Sequence, residues 1–319
     1  MTQPQTVKPK KVKKNGFLKE MSVNKWLYGM LTPGLIYFAI FSYLPLAGLY
    51  FAFVNYNFMK GPYGFGSEFV GLANFEFFFT SDQWLSITGN TLFLNFAFLI
   101  TGLIAQIVLA MAINELGGKI FKKVAQSLMF LPNFLSWTVV AIFSLALFGS
   151  DGGFVNRMLV AMGFGEVSFY QEPDLWPGLL IFFRLWKGAG FGTVIFLATI
   201  TGISQEIFEA ARIDGANRLK TAWYITLPML KPTAVMLLIM SMGTIFNGDF
   251  SMIYALVGDN TLLRPTTDVI DTYVYRALRV NNDIGMSSAV GLFQSALGFV
   301  MVITVNSITR RLDRDTALF

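Results

Sequence analysis

Two short clusters of polar and aromatic residues interrupt otherwise apolar sequence, and these are where the chain could act on a ligand. The first is Phe246, Asn247, Asp249, Phe250 and Tyr254. Its amide and carboxylate can take the hydroxyls of a sugar, while the ring faces stack on the sugar's C–H surface. The second, Asn133 with Ser136 and Trp137 beside Pro132, offers the same pairing of amide and ring. Asn247, Asp249, Phe246, Phe250, Tyr254, Asn133 and Trp137 are therefore the candidate substrate-binding residues. The competing reading is plainer: Asn247 and Asp249 end a helix at a membrane boundary, and Trp137 packs against lipid.

Catalysis is disfavoured by what the sequence lacks. With no histidine and no cysteine, the commonest general base, metal ligand and thiol nucleophile are all missing. No catalytic residue and no metal ligand is assigned. Gly118-Lys119 is followed by Ile120 and lacks the leading glycine of a nucleotide-binding loop, so energy must come from another chain or from an ion gradient. Other polar residues have structural readings. Asn95 and Gln106 suit hydrogen bonds between helices, and Arg184, Trp186 and Lys187 suit snorkelling at a boundary. Gly188, Gly190 and Gly192 stand at a spacing that lets helices approach closely.

The elements that position these residues are membrane spans. The 319 residues are 54% hydrophobic and only 13% charged, against roughly a quarter charged in soluble domains. Six stretches reach the length of about 20 apolar residues that a bilayer core demands: Trp26–Phe53, Asn90–Ile113, Val124–Phe148, Pro177–Ile203, Thr233–Val257 and Ser287–Ile308. The first contains Pro33 and Pro45 and predicts a kinked helix; it is too long for a secretory h-region and lacks a cleavage pattern. Residues 1–25 read as a disordered basic tail facing the cytosol, where its lysines can meet anionic lipid headgroups. Lys119, Lys122 and Lys123, then Arg212, Arg218, Lys220 and Lys231, then Arg310, Arg311 and Arg314 fall on that same side, so both termini are inside. The net charge of +5 thus reflects topology and points to no nucleic acid.

The loop between the fourth and fifth spans, 204–232, is unusually structured. Ser204 to Asp214 predicts a helix, with Ser204 placed to cap it and Glu206 favoured by the helix dipole. Gly215 predicts a bend, and a second helical stretch, Asn217–Ile225, runs to Pro228, with Pro232 at the start of the next span. The pattern Glu209-Ala210-Ala211, three residues, Gly215, nine residues, Ile225, one residue, Leu227-Pro228 resembles the loop of permease subunits in bacterial ABC importers, as does Ile213-Asp214-Gly215-Ala216. Glu209 pairing with Arg212 inside one surface helix is the bland alternative.

Outer stretches resemble the sugar-importing members of that family. They are Phe69–Phe75 leading to Asn90-Thr91, Asp151–Asn156 turning into a short helix, and Thr272–Tyr275 leading to Ala289–Leu292. Leu72–Phe75 and Asp151–Asn156 look most like permeases for complex plant or algal oligosaccharides. The resemblance implies an all-α membrane protein with six transmembrane helices. It comprises the tail 1–25, a permease domain 26–309 and a cytosolic C-terminal tail 310–319, in the bacterial inner membrane. It also implies a second permease subunit, two cytosolic ATPases that hold ATP and magnesium, an external sugar-binding protein and an oligosaccharide cargo, with no cofactor in this chain. Glu209, Ala210, Ala211, Asp214, Gly215, Ile225, Leu227 and Pro228 would then couple the chain to an ATPase, and the region around Asn247 would touch substrate. The rivals are an ion-coupled transporter centred on Asp249 and a membrane assembly subunit that transports nothing.

Overall fold

The computed structural model describes residues 17–61, 64–80, 83–150 and 152–312. Lys8 to Lys14 of the basic tail, Asp151 and the C-terminal Arg314 lie outside the described residues. The chain divides into two units, Met1–Tyr50 and Phe51–Phe319. In the first, α1 (Phe17–Val23) and α2 (Lys25–Phe38) precede a π-helical turn, Ala39–Tyr43. The tail read as unstructured up to Lys25 is therefore helical from Phe17. A 3-10 stretch, Leu44–Phe53, runs on into the second unit. The kink expected from Pro33 and Pro45 takes this form because a proline removes a donor from the α-type ladder, and π and 3-10 turns redistribute the bonds that remain.

The second unit opens with strand β1 (Val54–Asn55) paired antiparallel to β2 (Glu68–Phe69), with Val54 opposite Phe69. Next comes α3 (Ala73–Thr80), tied back by the Asn74 amide, which donates to Ala52 O and Val54 O at 3.0 Å each. The long α4 (Trp84–Glu115) follows, its 32 residues extending about 48 Å.

The third span is a correction. It is a broken element: α5 (Lys119–Phe130) and a 3-10 turn, Leu131–Phe134, meet α6 (Trp137–Phe148) at 96°. Pro132 starves the ladder of a donor, Leu135 is extended, and the Ser136 hydroxyl restarts the helix by accepting from Val139 N–H at 3.3 Å. Then come α7 (Phe154–Ala161) and α8 (Trp176–Thr201), which carries the fourth span.

After α8 the chain forms α9 (Gln205–Ile213) and α10 (Arg218–Thr221), which passes through a π turn, Ala222–Thr226, into α11 (Leu227–Met242). The second loop helix therefore does not stop at Pro228; it is continuous with the fifth span. The π turn sits immediately ahead of Pro228, whose missing N–H leaves a carbonyl one turn back without its α-type partner. The fifth span also ends early, at Met242 rather than Val257. A non-helical segment, 243–249, separates it from α12 (Phe250–Val257), followed by α13 (Arg264–Thr267), α14 (Ile270–Arg279) and α15 (Ile284–Leu312). The last helix runs past the expected tail boundary at Arg310.

Packing is organised on α4 and α8. Leu94 and Phe98 of α4 and Trp176, Leu180 and Phe183 of α8 bury against Val140 of α6 and Met252 and Ile253 of α12. Ala110, Ile113, Phe196, Ile200 and Leu230 join α4, α8 and α11, while Ile87, Ile270, Ala277, Met286 and Val290 join α4, α14 and α15. Among the described residues, five helical stretches meet the length and hydropathy of a span, and the count reaches six where the bent third pair is taken as one.

Candidate functional site

Between α4, α8, the end of α11 and the break in span three lies a cavity of about 440 Å³. Its polar lining is Asn95, Gln106, Asn133, Ser241, Thr244, Arg184 and Lys187, and its ring faces come from Phe98, Trp137 and Phe191. Asn133 and Trp137 therefore stand on its wall. Both owe their place to the 96° break, which turns the segment around Pro132 towards α8.

Phe246, Asn247, Asp249, Phe250 and Tyr254 do not line it. They belong to the non-helical segment 243–249 and the first turns of α12, beyond the wall residues Thr244 and Ile245. The rings of Phe250 and Tyr254 stack on one another at 5.1 Å, and both lie against Tyr275, at 4.9 and 5.0 Å. Asp249 caps α12, accepting from Met252 N–H at 3.1 Å, and pairs with Arg184. It ends a break and holds a cation rather than facing the cavity.

Backbone that leaves the helix at membrane depth must find partners inside the protein. Here side chains from three helices supply them. The Asn95 amide donates to Ile245 O at 2.9 Å and to Asn247 O at 3.0 Å. The Gln294 amide on α15 donates to Phe246 O at 3.0 Å and to Asp271 Oδ2 at 3.1 Å. The Asp271 carboxylate of α14 takes the Gly248 N–H. Burial raises the Asp271 carboxyl above its ordinary range, while the bonds from Gly248 and Gln294 pull the other way. Asn95 thus bonds between elements as read from the sequence. Gln294 and Asp271 escaped that reading because the backbone groups they serve, the Phe246 carbonyl and the Gly248 N–H, are free only once the fifth span is broken.

Arg184 and Lys187 are not the snorkelling pair expected. Lys187 stands about 16 Å along α8, in mid-span, donates to Asn133 O at 3.1 Å and lies 5.1 Å from the Trp137 ring centroid. Opposite charges on neighbouring spans were the available signal, since an intramembrane acid and base are cheaper as partners than alone. The glycines divide. A Cβ on Gly190 would strike Met129 O at 2.1 Å, and one on Gly192 would strike the Gln106 amide at 2.1 Å, whereas Gly188 opens into the cavity with nothing near.

At the far end of the same helices stands the loop. Gly202 to Ser204 link α8 to α9, and α10 is continuous with α11, so the bend sits between two cavity-lining helices. Gly215 has φ +76°, Ala216 N–H bonds Ala211 O at 2.9 Å and Gly215 N–H bonds Arg212 O at 3.1 Å, a paired C-terminal cap that only a left-handed residue closes readily. Ser204 occupies the N-cap of α9 without a side-chain bond; the side-chain cap of the loop is Asn217, which accepts from Lys220 N–H at 2.8 Å. Ala211 is buried beneath the loop, Ile225 and Leu227 are half-buried, and Ala210, Asp214 and Pro228 are exposed. Glu209 is exposed and, among the described residues, makes no salt bridge with Arg212 or any other cation. Around it Ile213 is 87% and Leu219 71% exposed, an apolar surface on a segment rich in charge.

The model of the family described as the binding-protein-dependent transport system inner membrane component matches residues 99–314. Protein LplB of Bacillus subtilis (strain 168) is 36% identical over 294 residues, covering 92% of this chain and 91% of that protein. The polygalacturonan/rhamnogalacturonan transport system permease protein YteP of the same organism is 36% identical over 306 residues, covering 96% and 94%. Among solved structures, a chain of a bacterial alginate ABC transporter in complex with an alginate pentasaccharide-bound periplasmic protein superposes with a TM-score of 0.83. That chain is 33% identical, and the match covers 93% of this chain and 98% of that one.

Proposed function

Because the chain belongs to the family of binding-protein-dependent transport system inner membrane components, we infer that it is the membrane-spanning subunit of an ATP-driven oligosaccharide importer. The observation that carries this reading is the continuity between cavity and loop. Two helices that wall a cavity of amides and ring faces, α8 and α11, are the two that run into the exposed bend around Gly215. Force applied to the bend is delivered to the cavity wall through backbone rather than through side-chain contacts.

In this reading a second permease completes the path, and an external binding protein delivers the sugar. Two cytosolic ATPases hold ATP and magnesium, and the termini lie on their side of the membrane. Glu209 and Asp214 offer charge to the ATPase surface, Ala210 allows close approach, and buried Ala211 seats the helix. Gly215 sets the bend, while Ile225, Leu227 and Pro228 fix the passage into α11. Asn133 and Trp137 contact the sugar. The cargoes named for YteP and for the alginate transporter support an oligosaccharide over a monosaccharide. An ion-coupled mechanism centred on Asp249 loses its main support, because that carboxylate is engaged by Arg184.

The test is co-purification of a cytosolic ATPase with the wild type, Glu209→Lys and Gly215→Val, followed by sugar uptake in reconstituted vesicles. Loss of the ATPase from both variants, with ATP-dependent uptake by the wild type, is expected. Uptake that proceeds without ATP on an ion gradient would overturn the reading.

A further inference from the structure

We propose that Lys187 is the cavity's anion contact and that the sugar carried bears a carboxylate; the inference rests on the import reading above. Two cations line the cavity, and no aspartate or glutamate does so among the described residues. They are not equivalent. Arg184 is neutralised by Asp249 and its guanidinium lies 5.9 Å from the Phe98 ring centroid. Lys187 has one hydrogen bond, to Asn133 O at 3.1 Å, and no carboxylate within ion-pair distance among the described residues. An ammonium carries three donors, so two stay available to a ligand.

Tying down one backbone carbonyl does not call for a charge. A glutamine would do it without the penalty of a cation in mid-span. The Trp137 ring, 5.1 Å from the ammonium, offsets part of that penalty, but among the described residues the cavity lining supplies no negative charge to match it. A single ammonium matches a single negative charge, as on a sugar acid, while a phosphate with two charges suits an arginine fork or several cations. Asn95, Gln106, Ser241 and Thr244 are placed for hydroxyls, and Trp137, over which Lys187 lies at 5.1 Å, offers the ring face beside the anion. Trp137 and Lys187 would read one sugar unit together, the ring its C–H face and the ammonium its carboxylate.

The experiment reconstitutes the chain with its second permease, ATPases and binding protein. It measures ATP hydrolysis stimulated by trimers of galacturonate and mannuronate, by their methyl esters and by maltotriose. The wild type is expected to prefer acid over ester, Lys187→Gln to lower that ratio about tenfold and Lys187→Arg to keep it. Because the same binding protein serves every variant, the change in ratio reports the cavity. The glutamine can still donate to Asn133 O, so the break keeps its clamp. Equal response to acid and ester in the wild type, or an unchanged ratio in Lys187→Gln, overturns the assignment and leaves the import reading standing. Stimulation by no saccharide, or by glycerol 3-phosphate alone, overturns the import reading and the assignment with it.

Discussion

Arg184 in α8 and Asp249 at the start of α12 form an ion pair across the break in the fifth span. The pair does two jobs at once. It neutralises a cation on the cavity wall, and it anchors the N-terminal end of α12, where a carboxylate is already favoured by the helix dipole. Through it the packing of α8 is linked to the segment 243–249, which Asn95, Asp271 and Gln294 hold from three other helices.

Breaking the pair from either side is expected to cost more than removing both charges. Asp249→Asn leaves Arg184 without a counter-charge, and Arg184→Gln does the same to Asp249, while the double variant removes the imbalance. The side chains are 45% and 21% exposed, so solvent screens them, and the coupling energy should fall near the low end of the range of about 0.5–3 kcal/mol for residues in contact. Melting of the four proteins in detergent gives the coupling directly. Strictly additive losses would mean the pair is incidental.

Gly192 and Gln106 make a second, sharper test of packing. A Cβ at Gly192 would meet the Gln106 amide carbon at 2.1 Å, whereas one at Gly188, a single turn away on the same helix, meets nothing. Gly192→Ala is expected to destabilise by about 1–3 kcal/mol through overpacking, and Gln106→Ala in the same chain to recover most of that loss. Gly188→Ala should leave the melting temperature unchanged or raise it slightly, since alanine is the better helix former and nothing opposes it there. Equal effects of the two glycine substitutions would contradict the placement of α4 against α8.

Much of this was legible in the sequence because hydropathy and charge are one-dimensional signals. The apolar stretches that form the spans and the bend at Gly215 are set by runs of apolar residues and by one residue without a Cβ, and they need no partner to be read. The breaks were hidden for the opposite reason. Phe250 to Val257 is as apolar as a span, so a helix continuing through Asn247 and Asp249 to Val257 was the natural reading. What stops it at Met242 is a set of side chains 23 to 152 residues distant, Asp271, Gln294 and Asn95, that satisfy its backbone. Likewise Asn133 and Trp137 were picked out by residue type. Lys187 was set aside as a boundary cation, although the span read from Pro177 already placed it in mid-helix; its partners, Asn133 O and the Trp137 ring, come to it only through the break in the third span.

The raised pKa of Asp271 has a pH consequence. Well below the ordinary carboxylate value of about 4 the group is protonated in both folded and unfolded chains and costs nothing. Above it the unfolded chain ionises freely while burial resists ionisation in the fold, so stability is lost as pH rises through the raised folded value. Asp271→Asn, whose carbonyl can still accept from Gly248, should be free of this loss. Its melting temperature relative to wild type is expected to climb from about pH 4 upward and then level off. A constant difference across that window would show that ionisation of Asp271 is not resisted.

The bend at Gly215 separates conformation from chemistry in the loop. With φ at +76° and no atom within 4 Å of a built Cβ, the site has room for a side chain but not the backbone preference for one. Asn tolerates the left-handed region, and β-branched residues do not. Gly215→Asn is therefore expected to keep its ATPase, while Gly215→Val loses about 1–2 kcal/mol of loop stability and with it roughly tenfold in ATPase affinity. Titrating the ATPase onto the two variants in nanodiscs decides it. If Val binds as tightly as Asn, the conformation at 215 does not govern docking, and the exposed Glu209 beside Ile213 must carry that contact alone.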